Sequence, residues 1–230
     1  MLLETKDNVV LPTLEIVDYY ESVRETTKKL NNVLSEDIPH SYLKTCAKEL
    51  GLLKQGMIDV SRNGDVDVFW DYCIHQLRIE NTHVVARYLL KFPPVSNTIE
   101  YSIFQSMLQS YYTVYEIKDI VRGKGVWVAD LLYRREIFII DIEMSYTVLT
   151  GVVLAGNIMP IDQFYMTTGA NLIVPIELLE SQLLAVAHSG LNERLPKNKE
   201  ALLAAEIISA ILKCGIWDSF GFNEFAYQNI

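Results

Sequence analysis

Residues 123–146 read GKGVWVADLLYRREIFIIDIEMSY. GVWVADL and EIFIIDI are short apolar runs rich in β-branched and aromatic residues, and the polar LLYRRE between them reads as a tight turn, so the stretch predicts two strands of one hairpin. GKG at 123–125 lacks the spacing of a phosphate loop and is read as the turn that enters the first strand. The second strand and its surroundings carry many acids, namely Asp130, Glu136, Asp141 and Glu143.

The same period extends outward in both directions. From Thr113, TVYEIKDIV sets Tyr115 and Ile117 against Glu116 and Lys118. TGVVLAGNIM, QFYMTT and ANLIVP follow the hairpin. Five or six short strands in about sixty residues, joined by turns containing Gly and Asp, predict a small antiparallel barrel or a strongly twisted sheet over 113–175. On either side the period is helical. The expected class is therefore α+β, with a helical region over 1–112, the β-unit over 113–175 and a C-terminal helical region over 176–230 that packs on the rest.

Within the first region, Leu14, Val17, Tyr20, Val23, Thr27, Leu30, Val33 and Leu34 recur at helical spacing and predict an amphipathic helix over 14–36. Pro39 interrupts it, Ser41 is expected to cap a second helix, and Gly51 marks its end. After the loop signal SRNG at 61–64, with Asp65 or Asp67 as cap, VFWDYCIHQLRIENTHVVARYLLKF predicts one long helix stopped by Pro93 and Pro94. Asn97 and Glu100 have the spacing of a capping box for a helix over 98–111. Beyond Pro175, ELLESQLLAVAHSG reads as a helix closed by Gly190, and EALLAAEIISAILKC as a strongly apolar one.

Leu202, Leu203, Ala204, Ile207, Ile208, Ile211 and Leu212 cover more of that last helix than one buried stripe needs. The expected cover is either the aromatic tail, with Phe220, Phe222, Phe225 and Tyr227, or a second copy pairing through Leu203, Ile207, Ile208 and Ile211.

Composition limits the function classes. The chain has 230 residues and a formal charge of −9, from 29 acids against 20 scattered bases. Nucleic-acid binding needs clustered Lys and Arg, so none is expected. MLLETKDNVV lacks the basic start of a signal peptide, and the apolar stretch 147–161 is too short to span a bilayer and is broken by Gly151, Gly156 and Pro160. Three separated cysteines, Cys46, Cys73 and Cys214, suit free thiols in the cytoplasm. No membrane partner is expected.

Two functions are weighed on the acids. Asp130, Asp141 and Glu143 could hold a divalent ion in a hydrolase or nuclease, where carboxylates on adjacent strands bind the metal and a lysine assists water. Such cores place a lysine two residues after the last acid, whereas Asp141 leads to Glu143 and Glu143 to Ser145. The first reading is instead a non-enzymatic interaction or regulatory protein, with these acids on a wet sheet face and Asp130 accepting backbone N–H bonds in its turn. Cys73 and His75 point to different sides of a helix and cannot share a metal. Glu80, His83 and Arg87 read as an exposed ion-pair row, and His188 and Cys214 stand alone. Neither a metal nor a cofactor is expected.

Taken together, FWDYCIHQLRIENTHVVARYLL, QSMLQSYYTVYEI and GKGVWVADLLYRREIFIIDIEMSYTVLTGVVLAGNIMP resemble, in order and pattern, a poorly characterised group of bacterial proteins, many of which end in a SEC-C zinc motif. The resemblance spans 66–175 and implies a cytoplasmic bacterial protein with a helical front and a β-rich middle. The zinc motif is not matched, because Cys214 is the lone cysteine near the C-terminus, and no site residue is carried over.

Overall fold

The computed structural model describes residues 12–62, 64–179 and 194–214. Helix α1 (Leu14–Glu36) begins on Thr13, whose hydroxyl accepts from the backbone N–H of Ile16, and its buried face carries Tyr20, Val23, Thr27 and Leu34. Helix α2 (His40–Glu49) follows Pro39, so Ser41 sits inside its first turn and does not cap it. A two-residue hairpin, β1 (Leu53–Lys54) with β2 (Met57–Ile58), leads to α3 (Asp65–His75). Gly64, with φ of 82°, starts α3 in place of either aspartate.

The single helix expected over 68–92 is two. Between α3 and α4 (Val84–Lys91) the chain makes a small hairpin, β3 (Arg78–Ile79) with β4 (Thr82–His83). Its turn residues, Glu80 and Asn81, both have positive φ, 52° and 63°, the signature of a type I′ turn. Glu80, His83 and Arg87 therefore do not share a helix face, although Arg87 still reaches Glu80 at 3.8 Å. Helix α5 (Ile99–Gln109) starts one residue later than the capping-box spacing implies. Thr98 accepts from Tyr101 N–H, while Asn97 takes positive φ to turn the chain into the helix.

The sheet then begins at Tyr111. Strands β5 (Tyr111–Val121), β6 (Gly125–Asp130) and β7 (Arg135–Ile140) form a meander, a one-turn helix α6 (Met144–Thr147) follows, and β8 (Val153–Ile161) and β9 (Phe164–Thr167) complete the barrel. The order is β8-β5-β6-β7-β9, and β9 pairs back onto β8. Every pairing is antiparallel except β7 with β9, which meet through Ile139 and Tyr165. Counting the five strands along the chain, the order round the barrel is 1-2-3-5-4-1 with a helix between the third and fourth, the Greek-key connectivity of an OB barrel. β5 is long enough to serve two partners, β8 along 111–116 and β6 along 115–121, with a bulge after Ile117. β10 (Leu172–Ile173) pairs with β8 beside Leu154 and Ala155, on the edge that β9 occupies further along.

Strand alternation divides the barrel residues between two cores. Tyr111, Tyr115, Ile117, Val126, Val128, Ile137, Ile139, Leu154, Ile158 and Tyr165 fill the lumen, closed at one end by Met144 and Val148 around α6. The alternate residues, among them Tyr112, Val114, Trp127, Phe138, Ala155, Met159 and Met166, join the helices in one continuous outer core. Helix α7 (Ile176–Leu179) is the first turn of the helix expected to run to Gly190, whose remainder, with His188, lies outside the described residues.

Helix α8 (Lys197–Cys214) packs against β5, β10 and α2. Ile207, Ile208 and Ile211 are at most 3% exposed there, so the chain's own core covers the face expected to be surplus. Leu202 remains 62% exposed. Phe220, Phe222, Phe225 and Tyr227 lie outside the described residues. Among the described residues no helix is long and apolar enough to cross a membrane.

Candidate functional site at the mouth of the barrel

The hairpin register separates the acids of the opening stretch. Asp130 pairs with Arg135 at the turn end of β6 and β7, while Asp141 follows Ile140, whose partner Gly125 is at the far end. At about 3.4 Å per residue the two carboxylates sit roughly 20 Å apart along the hairpin. Glu143 is exposed beside Asp141. Asp130, Asp141 and Glu143 therefore do not meet at one point. Among the described residues no group of three or more His, Cys, Asp or Glu side chains is placed to hold a metal ion.

Each buried aspartate is occupied locally. Asp141 Oδ1 accepts from Met144 N–H at the start of α6, and Oδ2 accepts from the Thr167 hydroxyl at 2.9 Å and faces Arg24 Nη2 at 3.5 Å. Arg24 also donates to the Thr167 carbonyl, so α1, β9 and α6 are joined at the closed end of the barrel. Asp130 Oδ1 accepts from Thr113 Oγ1 at 2.5 Å and from Tyr133 N–H at 3.1 Å, as its turn position predicts. Asp130 Oδ2 faces Arg135 Nε at 3.5 Å. Burial raises the Asp130 pKa, with the bonds from Thr113 and Tyr133 and the charge of Arg135 pulling it back.

Around Asp130 the end of the barrel opposite α6 is lined by cations and phenols. The Arg135 guanidinium stands 4.8 Å from the Tyr111 ring centre, 5.8 Å from that of Tyr133 and 5.7 Å from that of Tyr165. Arg194, just before α8, stands 4.4 Å from the same Tyr111 ring, well within cation–π range. Tyr111 and Tyr133 meet edge to face, their planes at 86°. Burial alone would lower the Arg135 pKa, but Tyr111, Asp130 and Tyr165 raise it, so the guanidinium stays charged. Burial pushes Tyr133 up to about 12 and Tyr111 well above the ordinary phenol range, which keeps both hydroxyls protonated as donors. The Tyr111 and Tyr133 hydroxyls and Arg135 Nη2 are buried and make no hydrogen bond among the described residues.

A second polar cluster lies between the helices and the barrel wall. His75 Nδ1 is 3.0 Å from Ser110 Oγ, and His75 Nε2 is 3.8 Å from Asp71 Oδ1. Asp, His and Ser in a row suggest a nucleophilic triad, but the geometry opposes it. Ser110 is 1% exposed and donates to the Met107 carbonyl, so no substrate can reach its oxygen.

The row instead belongs to a lattice of buried bonds. Asn157 on β8 donates to Asp71 at 2.6 Å and accepts from Gln76 at 2.6 Å. Glu200 on α8 accepts from Gln76 at 3.3 Å and from Tyr112 N–H at 3.1 Å, and Lys197 contacts both Glu200 and the Ser110 carbonyl. The lattice binds α3, α5 and α8 to the sheet. Burial raises the Asp71 pKa and lowers that of His75.

Neither cluster is visible in one stretch of sequence. Asp71, His75 and Gln76 could have drawn notice as polar residues on a largely apolar helix, but Asn157 and Glu200 become relevant only once β8 and α8 are placed.

Fold and site together define an α+β protein built on a small closed barrel with a cationic, tyrosine-lined mouth. The chain belongs to a family of unknown function (DUF7986), whose model matches residues 15–200. That description names neither a zinc motif nor an activity. Comparison with curated proteins and with solved structures finds no match.

Proposed function

We propose that the protein is a non-enzymatic interaction or regulatory protein of a bacterial cytoplasm that works by binding at the barrel mouth. The observation that carries this is the separation of Asp130 from Asp141, with each carboxylate already engaged by an arginine, a threonine hydroxyl and a backbone N–H. Of the groups left without hydrogen-bond partners at the mouth among the described residues, Tyr111 Oη, Tyr133 Oη, Arg135 Nε and Arg135 Nη2 can donate and Asp130 Oδ2 can only accept while ionised, a balance that suits recognition better than hydrolysis.

Nucleic acid stays disfavoured as the partner. OB barrels take oligonucleotides on the outer face of their second and third strands, and the corresponding Trp127 and Phe138 are buried in the outer core. The free thiols of buried Cys46 and Cys73 support a reducing compartment.

The test is turnover of a phosphodiester and a carboxylester reporter with magnesium or manganese. No rate above buffer is expected. Turnover that Asp130→Asn or Asp141→Asn abolishes would establish the hydrolase reading instead. Pairing of two copies is a second reading, favoured by exposed Leu202 beside half-buried Leu203 on α8. Sedimentation velocity showing a monomer at every concentration would discard it.

A further inference from the structure

We propose that the barrel mouth is an oxyanion site that takes a phosphate group between Arg135 and Arg194. The assignment rests on reading the protein as a binder and names what is bound. Buried polar atoms without hydrogen-bond partners are costly and call for a cause, and among the described residues four that can donate occur together here, Tyr111 Oη, Tyr133 Oη, Arg135 Nε and Arg135 Nη2, beside one acceptor, Asp130 Oδ2. The Tyr111 hydroxyl lies close to the Arg135 guanidinium but makes no hydrogen bond to it of good geometry. The phenol oxygen could accept from the guanidinium, but as they are placed the Tyr111 O–H and Arg135 Nη2 both remain free to donate elsewhere. An anion placed among them would supply the missing acceptors.

The charges allow it. Asp130 is the acid beside Arg135; its Oδ1 is held by Thr113 and Tyr133 N–H, and its Oδ2 faces Arg135 Nε at 3.5 Å without a hydrogen bond, so it offsets one of the two guanidinium charges and leaves the other. Glu200 is engaged by Lys197, Gln76 and Tyr112 N–H. Among the described residues Arg194 makes one side-chain hydrogen bond, to the Gln109 carbonyl at 2.9 Å, and the residue is exposed. It can swing from the face of Tyr111 and close again over a ligand. Arg135, 28% exposed along its side chain, forms the fixed wall.

Phosphate fits better than carboxylate. Two guanidinium ions match a dianion, and phenol rings at 86° to each other direct donors out of any one plane, as a tetrahedral oxyanion needs and a flat carboxylate does not.

Isothermal titration of the full chain with inorganic phosphate, at fixed ionic strength and with acetate as the comparison, tests this. Saturable binding of phosphate is expected, about tenfold tighter than acetate. Arg194→Gln, at an exposed position, and Tyr111→Phe, which removes a hydroxyl with no partner, should each weaken phosphate about tenfold and keep the far-UV spectrum and unfolding midpoint of the parent. No saturation by phosphate, tighter binding of acetate, or unchanged affinity in both folded variants would overturn the assignment. The reporter assay separates the two failures: turnover without phosphate binding defeats both readings, turnover with it defeats the binder alone, and neither signal defeats the site alone.

Discussion

His83 uses both ring nitrogens to hold backbone. Nδ1 accepts from Val85 N–H at the start of α4, so Nε2 carries the proton and donates to the His75 carbonyl at 3.1 Å. Protonating Nδ1 would break the cap, and burial, with Arg78 nearby, takes the pKa from 6.5 to about 3. His75 is lowered in the same direction, chiefly by burial. Between about pH 6.5 and pH 3 the unfolded chain therefore binds a proton at His83 that the folded chain refuses, and stability falls on acidification by about 1.4 kcal/mol per pH unit, with His75 acting in the same direction. Asp71 and Asp130, raised by burial, act oppositely and flatten the loss once carboxylates titrate. Urea unfolding from about pH 7 to pH 5 should show the decline, and His83→Gln should make it shallower. A flat profile would refute this account. At the closed end of the barrel, Asp141→Ala removes the acceptor for Met144 N–H and Thr167 and leaves Arg24 without its counter-ion, so a loss of about 3 kcal/mol is expected in denaturant. The role of Asp130 as a turn acceptor was legible from its place before LLYRRE. That of Asp141 was not, because Arg24 and Thr167 are distant in sequence.

At the level of elements, the tightest constraint is the approach of β6 to β7 at Gly125. A Cβ there would stand 2.0 Å from the Ile139 carbonyl oxygen, which is backbone and cannot move without breaking the ladder. Gly125→Ala should abolish the cooperative thermal transition. Gly56→Ala, with no atom within 4 Å of the added carbon but φ of 80°, should cost only about 1 kcal/mol, read in the same melts. The strands were readable because their residues are apolar at period 2 and rich in β-branched and aromatic side chains. The break between α3 and α4 was not. Trp70, Cys73 and Leu77 before it and Val84, Tyr88 and Leu89 after it keep close to helical spacing across the hairpin, and Glu-Asn is a weaker turn signal than Asn-Gly. Asn97 and Thr98 are both good caps, and spacing alone chose the wrong one.

For the molecule as a whole, sequence gave the β-unit and its helical flanks but not how completely the helices cover the barrel, since that depends on which face each strand turns outward. The same coverage changes the meaning of the apolar surface on α8. Ile208 is buried against the chain itself, so Ile208→Glu should unfold the protein, with a loss above about 3 kcal/mol by urea denaturation, and not yield a folded monomer. A folded Ile208→Glu variant would return that face to self-association. Closure of the barrel is also uneven. β5 with β6, β5 with β8, and β6 with β7 are joined by runs of paired residues, whereas β7 and β9 meet through the single pair Ile139 and Tyr165. A cylinder stitched firmly along most of its joins and lightly along one has a built-in place to breathe. Its native fluctuations should part β9 from β7 without melting the meander, leaving Tyr165 amide deuteration faster than that of Val128 and wetting the lumen from that side first.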